Sequence, residues 1–219
     1  MSATLAGRRI VVSAGPTYED IDPVRFLGNR SSGRMGFAVA GAAAASGAEV
    51  VLVAGPVHLD TPPGVTRIDV RSAAQMHDVV LGQLPADLYI GAAAVADFTP
   101  AQAAEHKIKK QPGQDGLVLE LVRTRDILAE VAADARRPRV VVGFAAETRD
   151  IETYARTKLE SKRVDMVCAN RVGVAGSGFE ADANTLEVLW HDGHHTLGPA
   201  SKAEVARNLL ALIDEVFPR

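Results

Sequence analysis

The chain has 219 residues, of which 47% are hydrophobic and 23% charged, a composition that excludes disordered, fibrous and disulfide-stabilised classes. Its net charge of −3 gives no overall basic field for a nucleic-acid backbone, and no stretch approaches the roughly 18 apolar residues of a membrane span. The single cysteine, Cys168, excludes an internal disulfide. We therefore expect one domain over residues 1–219, cytoplasmic, with no nucleic acid and no membrane among its partners.

Apolar runs of strand length alternate with helical patterns along most of the chain, which is typical of βαβ units around a parallel sheet. The pattern predicts an α/β, Rossmann-like fold: an open, mostly parallel sheet with helices on both faces. The predicted strands are residues 8–14, 49–54, 65–70, 88–93, 139–144 and 164–169. The predicted helices are residues 36–46, 73–84, 126–135, 151–161 and 202–216.

Two stretches depart from this alternation. After the glycine-rich residues 173–178, polar and apolar residues alternate in segments 185–190 and 194–197 on either side of Asp192-Gly193. Asp-Gly between such segments is a strong hairpin signal, so we expect an antiparallel pair at one edge of the sheet. Residues 99–116 are polar and lack periodicity, and a loop of that length inside a compact domain is usually functional or mobile.

The segment after the first predicted strand has the composition of an anion site. Residues 28–36 read GNRSSGRMG and run directly into an alanine-rich helix, whose start presents free N–H groups. Asn29 and Arg30 add an amide and a guanidinium to this corner. Arg34-Met35 stands where a P-loop has Lys and Ser/Thr, so the segment is not a Walker A motif. The alternative is that its glycines serve only tight turns and close packing.

A nicotinamide-dependent oxidoreductase is a function that the βαβ pattern also allows. The fingerprint G-x-G-x-x-G is absent, and the strand at 49–54 is followed by Gly55-Pro56 rather than ending in the acidic residue that would hold a ribose. NAD binding is therefore disfavoured.

The strand at 88–93 leads into small residues and then Asp97-Phe98. Small side chains let a ligand lie against the backbone, and in open α/β sheets ligands bind beyond the carboxyl ends of the strands. The Asp97 carboxylate suits a sugar hydroxyl, a base edge or hydrated Mg²⁺, and a capping aspartate is the alternative.

Other candidate groups favour a reaction in which the substrate supplies the nucleophile. Lys107-Ile108-Lys109-Lys110 is either a solvated face or a lid that closes over a triphosphate. Cys168 lies in an apolar run and is expected in the core. His191, His194 and His195 flank the hairpin turn without acids placed beside them, which disfavours a metal site there. No G-x-S-x-G elbow is present.

Four segments together resemble the phosphopantothenoylcysteine synthetase family, and the likeness covers nearly the whole chain. They are Asp22-Pro23-Val24-Arg25-Phe26 with residues 28–36, residues 93–98, residues 107–110 and Gly143-Phe144-Ala145-Ala146-Glu147-Thr148, in the order in which the family has them. The resemblance implies a two-step ligation. CTP activates the carboxylate of 4′-phosphopantothenate as an acyl-cytidylate with loss of pyrophosphate, and the amine of L-cysteine then displaces CMP.

The resemblance also implies roles for individual residues. Asn29, with Arg30 beside it, would contact phosphopantothenate and serve conversion of the acyl-cytidylate, its amide donating to the carbonyl oxygen. Lys107 would assist the first step by screening the triphosphate. Asp97 is the candidate metal contact, with Mg²⁺ held mainly by the triphosphate. The implied CTP-binding residues are Gly91, Ala92, Ala93, Asp97, Lys107, Thr124, Arg125, Asp126, Ile127, Phe144, Lys158 and Lys162.

The resemblance further implies a homodimer and a partner domain. In the usual bacterial form a flavin-dependent phosphopantothenoylcysteine decarboxylase domain precedes the synthetase. We expect residues 117–121, with an alternating pattern, to form an exposed strand of the subunit contact, and the lysine loop to lie near a crevice, either its own or the neighbour's. Thr124-Arg125 departs from the Asn-Pro of many relatives. A non-catalytic nucleotide sensor remains a third alternative, which tight CTP binding without turnover would favour.

Overall fold

The computed structural model describes residues 5–110, 113, 115–147, 150–171 and 183–218, without the side chains of residues 147 and 171. The glycine-rich residues 173–178 and Thr148 lie outside this description. The strands are β1 (Arg9–Ala14), β2 (Tyr18–Asp20), β3 (Phe26–Gly28), β4 (Glu49–Ala54), β5 (Val65–Asp69), β6 (Leu88–Gly91), β7 (Phe98–Pro100), β8 (Leu121–Arg123), β9 (Val140–Glu147), β10 (Met166–Arg171), β11 (Ala183–Trp190) and β12 (Gly193–Ser201). The helices are α1 (Arg34–Ala45), α2 (Ala73–Gly82), α3 (Ile127–Ala133), α4 (Ile151–Lys162) and α5 (Lys202–Val216).

The central sheet has eight strands in the order β12-β11-β10-β9-β6-β1-β4-β5. Six neighbouring strands of this sheet pair in parallel: β10, β9, β6, β1, β4 and β5. Strands β11 and β12 continue the sheet beyond β10 as an antiparallel pair. The predicted fold class and edge hairpin are therefore confirmed. Strand order reverses between β1 and β6, which is the point where open α/β sheets bind ligands.

The sheet is covered on both faces because its apolar strands alternate their side chains between two cores. Ile10 and Val12 pack with α1 and α5, whereas Val11 packs with α2, α3 and α4. Cys168 is completely buried in the first of these cores, and burial raises the pKa of its thiol. The expectation that Cys168 is a core residue is confirmed. No helix among the described residues combines the length and the apolar character that a bilayer crossing requires.

Two small antiparallel ribbons, β2–β3 and β7–β8, were not expected from the sequence. The prediction of a strand at residues 117–121 is wrong, because the strand begins at Leu121 and runs to Arg123. Its partner is β7, and the strand begins four residues later than the alternating pattern predicts. Leu117, Val118 and Leu121 are nevertheless exposed, as that expectation required.

Candidate functional site

The chain segments that leave β1 and β6 remain paired beyond the strand ends. Ala94 donates its N–H to Gly15 at 2.9 Å and accepts from the N–H of Thr17 at 3.3 Å. The buried Thr17 hydroxyl accepts from the Ala96 N–H at 3.0 Å. The chain after β1 and the predicted ligand segment after β6 therefore form one paired backbone platform at the switch point.

Helix α1 starts close against this platform. Its N-cap is Gly33, at a left-handed φ of 73°, which has no side chain to cap the first-turn amides. A Cβ at Gly36 would lie 2.5 Å from the Cβ of Ala14, so the glycine lets the helix approach the end of β1. The first turn consequently faces the site with its partial positive charge available to an anion.

Asn29 ties the loop before α1 to the segment after β6. Its side-chain amide donates to the carbonyl oxygens of Ala94 at 3.0 Å and Val95 at 3.2 Å. The two predicted ligand segments are thus joined directly through the Asn29 side chain.

The first of two cavities at this edge has a volume of about 500 Å³. It is bounded by the α1 start and contains both predicted phosphopantothenate residues, Asn29 and Arg30. Its remaining walls come from Ser31, Ser32, Gly33, Arg34, Met35, Gly36, Ala92, Ala93, Ala94, Val95, Asp97, Phe144, Ala145, Ala146, Lys158, Asn170, Asn184 and Lys202.

The second cavity, of about 630 Å³, collects ten of the twelve residues that the resemblance assigns to CTP. They are Gly91, Ala93, Asp97, Thr124, Arg125, Asp126, Ile127, Phe144, Lys158 and Lys162. Ala92 lines the first cavity instead, and Lys107 lines neither. Five residues form a wall common to both cavities: Ala93, Val95, Asp97, Phe144 and Lys158.

The floor of the second cavity is uncharged. Tyr89 is buried, and its hydroxyl lies 2.9 Å from that of Ser13, another lining residue. Burial raises the pKa of Tyr89 to about 12, so the phenol stays protonated at neutral pH.

The rim of the second cavity is held by charged and polar contacts. Asp126 caps α3 through the Ala129 N–H at 3.0 Å and forms an ion pair with Lys162. Burial opposes ionisation of Asp126, but the Lys162 ammonium and the Ala129 N–H outweigh it and lower its pKa. The Thr124 hydroxyl donates to the Ala96 carbonyl at 2.6 Å, which fastens the rim to the common wall.

Two charged side chains, Lys158 and Asp97, belong to the common wall. Lys158 donates from Nζ to the Phe144 carbonyl oxygen at 2.7 Å, which directs its ammonium along the wall. Asp97 is exposed there, beside both cavities. No cluster of three or more His, Cys, Asp or Glu side chains suited to a metal occurs in the described part of the chain, and this covers His191, His194 and His195.

The lysine segment is anchored away from both cavities by Asp22. The buried carboxylate of Asp22 accepts from the backbone N–H groups of Val24 and Arg25, both at 2.8 Å, and from that of Ile108 at 3.1 Å. Arg25 forms an ion pair with Asp22 and donates to the Ile108 carbonyl at 3.0 Å. The Arg25 guanidinium holds the pKa of the Asp22 carboxyl well below its usual range.

Asp22→Asn is expected to loosen residues 107–110 while the sheet stays folded. An amide orienting its oxygen toward the turn would present N–H groups to Arg25 and to the Ile108 N–H, where only acceptors fit. Faster hydrogen exchange at the Ile108 amide would report the change. Asp20→Asn, in the same ribbon but paired with Arg71, is the matched control and should leave Ile108 protected.

The same contact gives a pH dependence with a definite sign. Because the pKa of Asp22 is lowered on folding, its contribution is complete above the ordinary carboxyl value of about 4 and is lost as pH falls below it. Protection of the Ile108 amide should therefore be constant near neutrality and decline in acid. Unchanged protection in both Asp22→Asn and acid would contradict the anchoring role.

Three polar side chains of the first cavity were not predicted from the sequence: Asn170, Asn184 and Lys202. They come from β10, β11 and the start of α5, far along the chain from Asn29. Asn184 and Lys202 are buried, and the Asn184 amide contacts the Met35 sulfur at 3.7 Å. A lysine at the first position of a helix runs against the preference for acidic residues there, and this was the available signal.

Residues 5–217 match the family model described as the DNA/pantothenate metabolism flavoprotein C-terminal domain. The chain is 50% identical over 212 residues to the coenzyme A biosynthesis bifunctional protein CoaBC of Vibrio cholerae, covering 96% of this chain and 53% of that protein. The Escherichia coli K12 protein of the same name is 47% identical, with 96% and 52% covered. A crystal structure of the C-terminal domain of CoaBC superposes with a TM-score of 0.82 at 39% identity, covering 98% of both chains.

Proposed function

Because the chain belongs to the family of DNA/pantothenate metabolism flavoprotein C-terminal domains, we propose that it joins 4′-phosphopantothenate to L-cysteine at the expense of CTP. The product would be 4′-phosphopantothenoyl-L-cysteine, with pyrophosphate and CMP released. Its relatives are coenzyme A biosynthesis proteins. The chain spans about half the length of these curated relatives, and we infer a phosphopantothenoylcysteine decarboxylase domain as its functional partner.

The observation that carries the proposal is the pair of cavities with a common wall. The first would hold the organic acid beside Asn29 and Arg30, and the second would hold the nucleotide. A carboxylate in one and an α-phosphorus in the other would then meet at Ala93, Val95 and Phe144, whose small or apolar side chains leave room for close approach.

Neither chemical step needs a nucleophile from the protein. In the first step a carboxylate oxygen attacks the α-phosphorus and pyrophosphate leaves. In the second, the cysteine amine attacks the acyl carbon, the C–O bond to CMP breaks and the amine loses a proton. The buried thiol of Cys168, with its raised pKa, fits a chain that contributes binding and electrostatics only.

Mg²⁺ would accompany the triphosphate. The exposed Asp97 carboxylate at the common wall suits this ion, which usually takes one or two protein carboxylates together with substrate phosphates. Bound there, the ion would neutralise charge on the phosphate oxygens. The Lys158 ammonium would supply further positive charge at the same wall.

We infer that the protein acts as a homodimer and that Lys107 serves the neighbour's site. Lys107 is exposed and outside both cavities of its own chain. Nearby, Val118 is 95% exposed and Leu117, Leu121 and Val122 are partly exposed, an apolar surface suited to a second copy of the chain.

The proposal predicts pyrophosphate release only when CTP, Mg²⁺ and 4′-phosphopantothenate are all present, and amide formation only when L-cysteine is added. Parallel assays with CTP, ATP and UTP measure the nucleotide preference. Equal turnover with ATP would remove the assignment of CTP, and tight CTP binding without turnover in the complete mixture would favour a sensor.

The nicotinamide alternative is disfavoured by the end of β4. The chain continues there through Gly55, and a Cβ at that position would overlap the Pro16 carbonyl. Backbone thus fills the space in which a ribose-binding acid would stand. Saturable NADH or NADPH binding at micromolar concentration would revive this alternative.

A further inference from the structure

Arg125 is a cation on the rim of the second cavity whose guanidinium is clamped along one edge. The Glu130 carboxylate accepts from Nε at 3.1 Å and from Nη2 at 2.5 Å. The Arg125 side chain is 63% exposed, so no burial holds it in place. Its orientation therefore depends on this two-point contact with α3.

Glu130 is in turn held from α2 by His77. The imidazole is 5% exposed, with Nε2 3.0 Å from the Glu130 carboxylate and Nδ1 2.9 Å from that of Asp78. The pKa of Glu130 is lowered, chiefly by Arg125 and further by His77, so it stays ionised at neutral pH. A chain of contacts thus runs from a buried imidazole to the cavity rim.

The clamp leaves one edge of the guanidinium for a ligand. Glu130 takes the Nε and Nη2 edge, and within the described ranges no hydrogen bond occupies Nη1. The Nη1 and Nη2 groups at the other edge form a fork of two parallel donors, which matches two adjacent acceptors. Cytosine presents such a pair, N3 and O2, whereas uracil carries a hydrogen on N3 and would meet the fork with a donor.

The position of Arg125 favours a contact with the base over one with phosphate. The α-phosphorus must lie at the common wall to meet the carboxylate, and Lys158 stands there. Arg125 lines the second cavity but not the first, so it is not part of that wall. A nucleotide that extends from the wall into this cavity would bring its base toward the rim.

We propose that Arg125 selects cytosine over uracil in the nucleotide, and that Glu130 and His77 are positioning residues that hold its guanidinium in register. This inference rests on the proposed function, which assigns the nucleotide to the second cavity. Arg125 is one of the two residues at which the chain departs from the Asn-Pro of many relatives.

Titration calorimetry of the purified protein with CTP and with UTP, each with Mg²⁺ and without phosphopantothenate, tests this directly. Arg125→Lys keeps the charge and loses the fork, so the preference for CTP over UTP should fall by about tenfold to a hundredfold, as for a lost two-point base contact. Glu130→Gln should lower this preference less than Arg125→Lys does, and His77→Phe should lower it least. Arg156→Lys, in a Glu152 pair on α4, is the matched control and should not change it.

The outcomes separate the inference from the proposed function. If Arg125→Lys and Arg125→Ala weaken CTP and UTP equally, or change neither, base selection by Arg125 is rejected. If Glu130→Gln and His77→Phe lower only the melting temperature and leave the preference intact, their positioning role is rejected. A wild-type protein that releases no pyrophosphate when CTP, Mg²⁺ and 4′-phosphopantothenate are all present would reject the proposed function itself.

Discussion

Lys107→Gln is expected to reduce CTP-dependent pyrophosphate release by about a hundredfold to a thousandfold, the range found when one preorganised donor to developing charge is removed. Attack on the α-phosphorus builds negative charge on the departing pyrophosphate, and glutamine keeps a polar side chain of nearly the same length but without the positive charge. The measurement is the single-turnover rate of pyrophosphate release. Arg207→Gln, an equal loss of charge on the exposed face of α5, is the control and should react at the wild-type rate.

The location of Lys107 makes a mixing experiment decisive. If the lysine acts in the partner's site, a heterodimer of Lys107→Gln and Asn29→Asp chains contains one site with both native residues. Random exchange should then restore about a quarter of the wild-type activity, since half of the dimers are mixed and each has one intact site. No recovery on mixing would assign Lys107 to its own chain or to no site.

Asn29→Asp is expected to abolish amide formation while pyrophosphate is still released once per site. The Asn29 amide donates to the Ala94 and Val95 carbonyl oxygens. A carboxylate at this position has no hydrogen to donate, so both hydrogen bonds would be lost and its oxygen would repel the two carbonyl oxygens. It would also repel the negative charge that builds on the acyl oxygen during attack by cysteine. The loss should be about a hundredfold or more in amide formation.

The readout for Asn29→Asp is accumulation of the acyl-cytidylate, quenched and separated by chromatography. Asn208→Asp, the same exchange on the exposed face of α5, should behave as wild type. Normal amide formation by Asn29→Asp would remove the role given to Asn29. Loss of both pyrophosphate release and amide formation would mean that the hydrogen bonds from Asn29 to Ala94 and Val95 are needed to keep the site assembled, and not only for contact with the acyl oxygen.

The part of the fold that was predictable is the part dictated by continuous apolar runs. Strands such as β1 and β4 bury both faces, so their sequences have little freedom. The ribbons β2–β3 and β7–β8 were not predicted because strands of three residues, most of them partly or fully exposed, are too short to leave a periodic signal. Their pairing is set by contacts such as the Ala101 N–H to the Glu120 carbonyl, which only the folded chain brings together.

The candidate site divides in the same way. Residues 91–97 were predictable because they follow a strand whose carboxyl end must share one edge with that of β1, and Asn29 because its segment runs directly into the helix that starts at that edge. The position of Lys107 was not, since it depends on the buried Asp22, a residue distant in sequence. Asn184 and Lys202 were not predicted because they reach the cavity only when β11 pairs with β10, and the sequence pattern does not specify that pairing.

The position of helix α5 has a consequence for how the growing chain folds during synthesis. The first cavity takes a wall from α5, and α5 also covers the sheet face that carries Ile10 and Val12. A nascent chain still lacking this helix would expose an apolar sheet surface and leave the first cavity without one of its walls. Truncation before Ile213 would therefore leave both the apolar core and the first cavity incomplete, and such a chain would expose apolar surface that promotes aggregation.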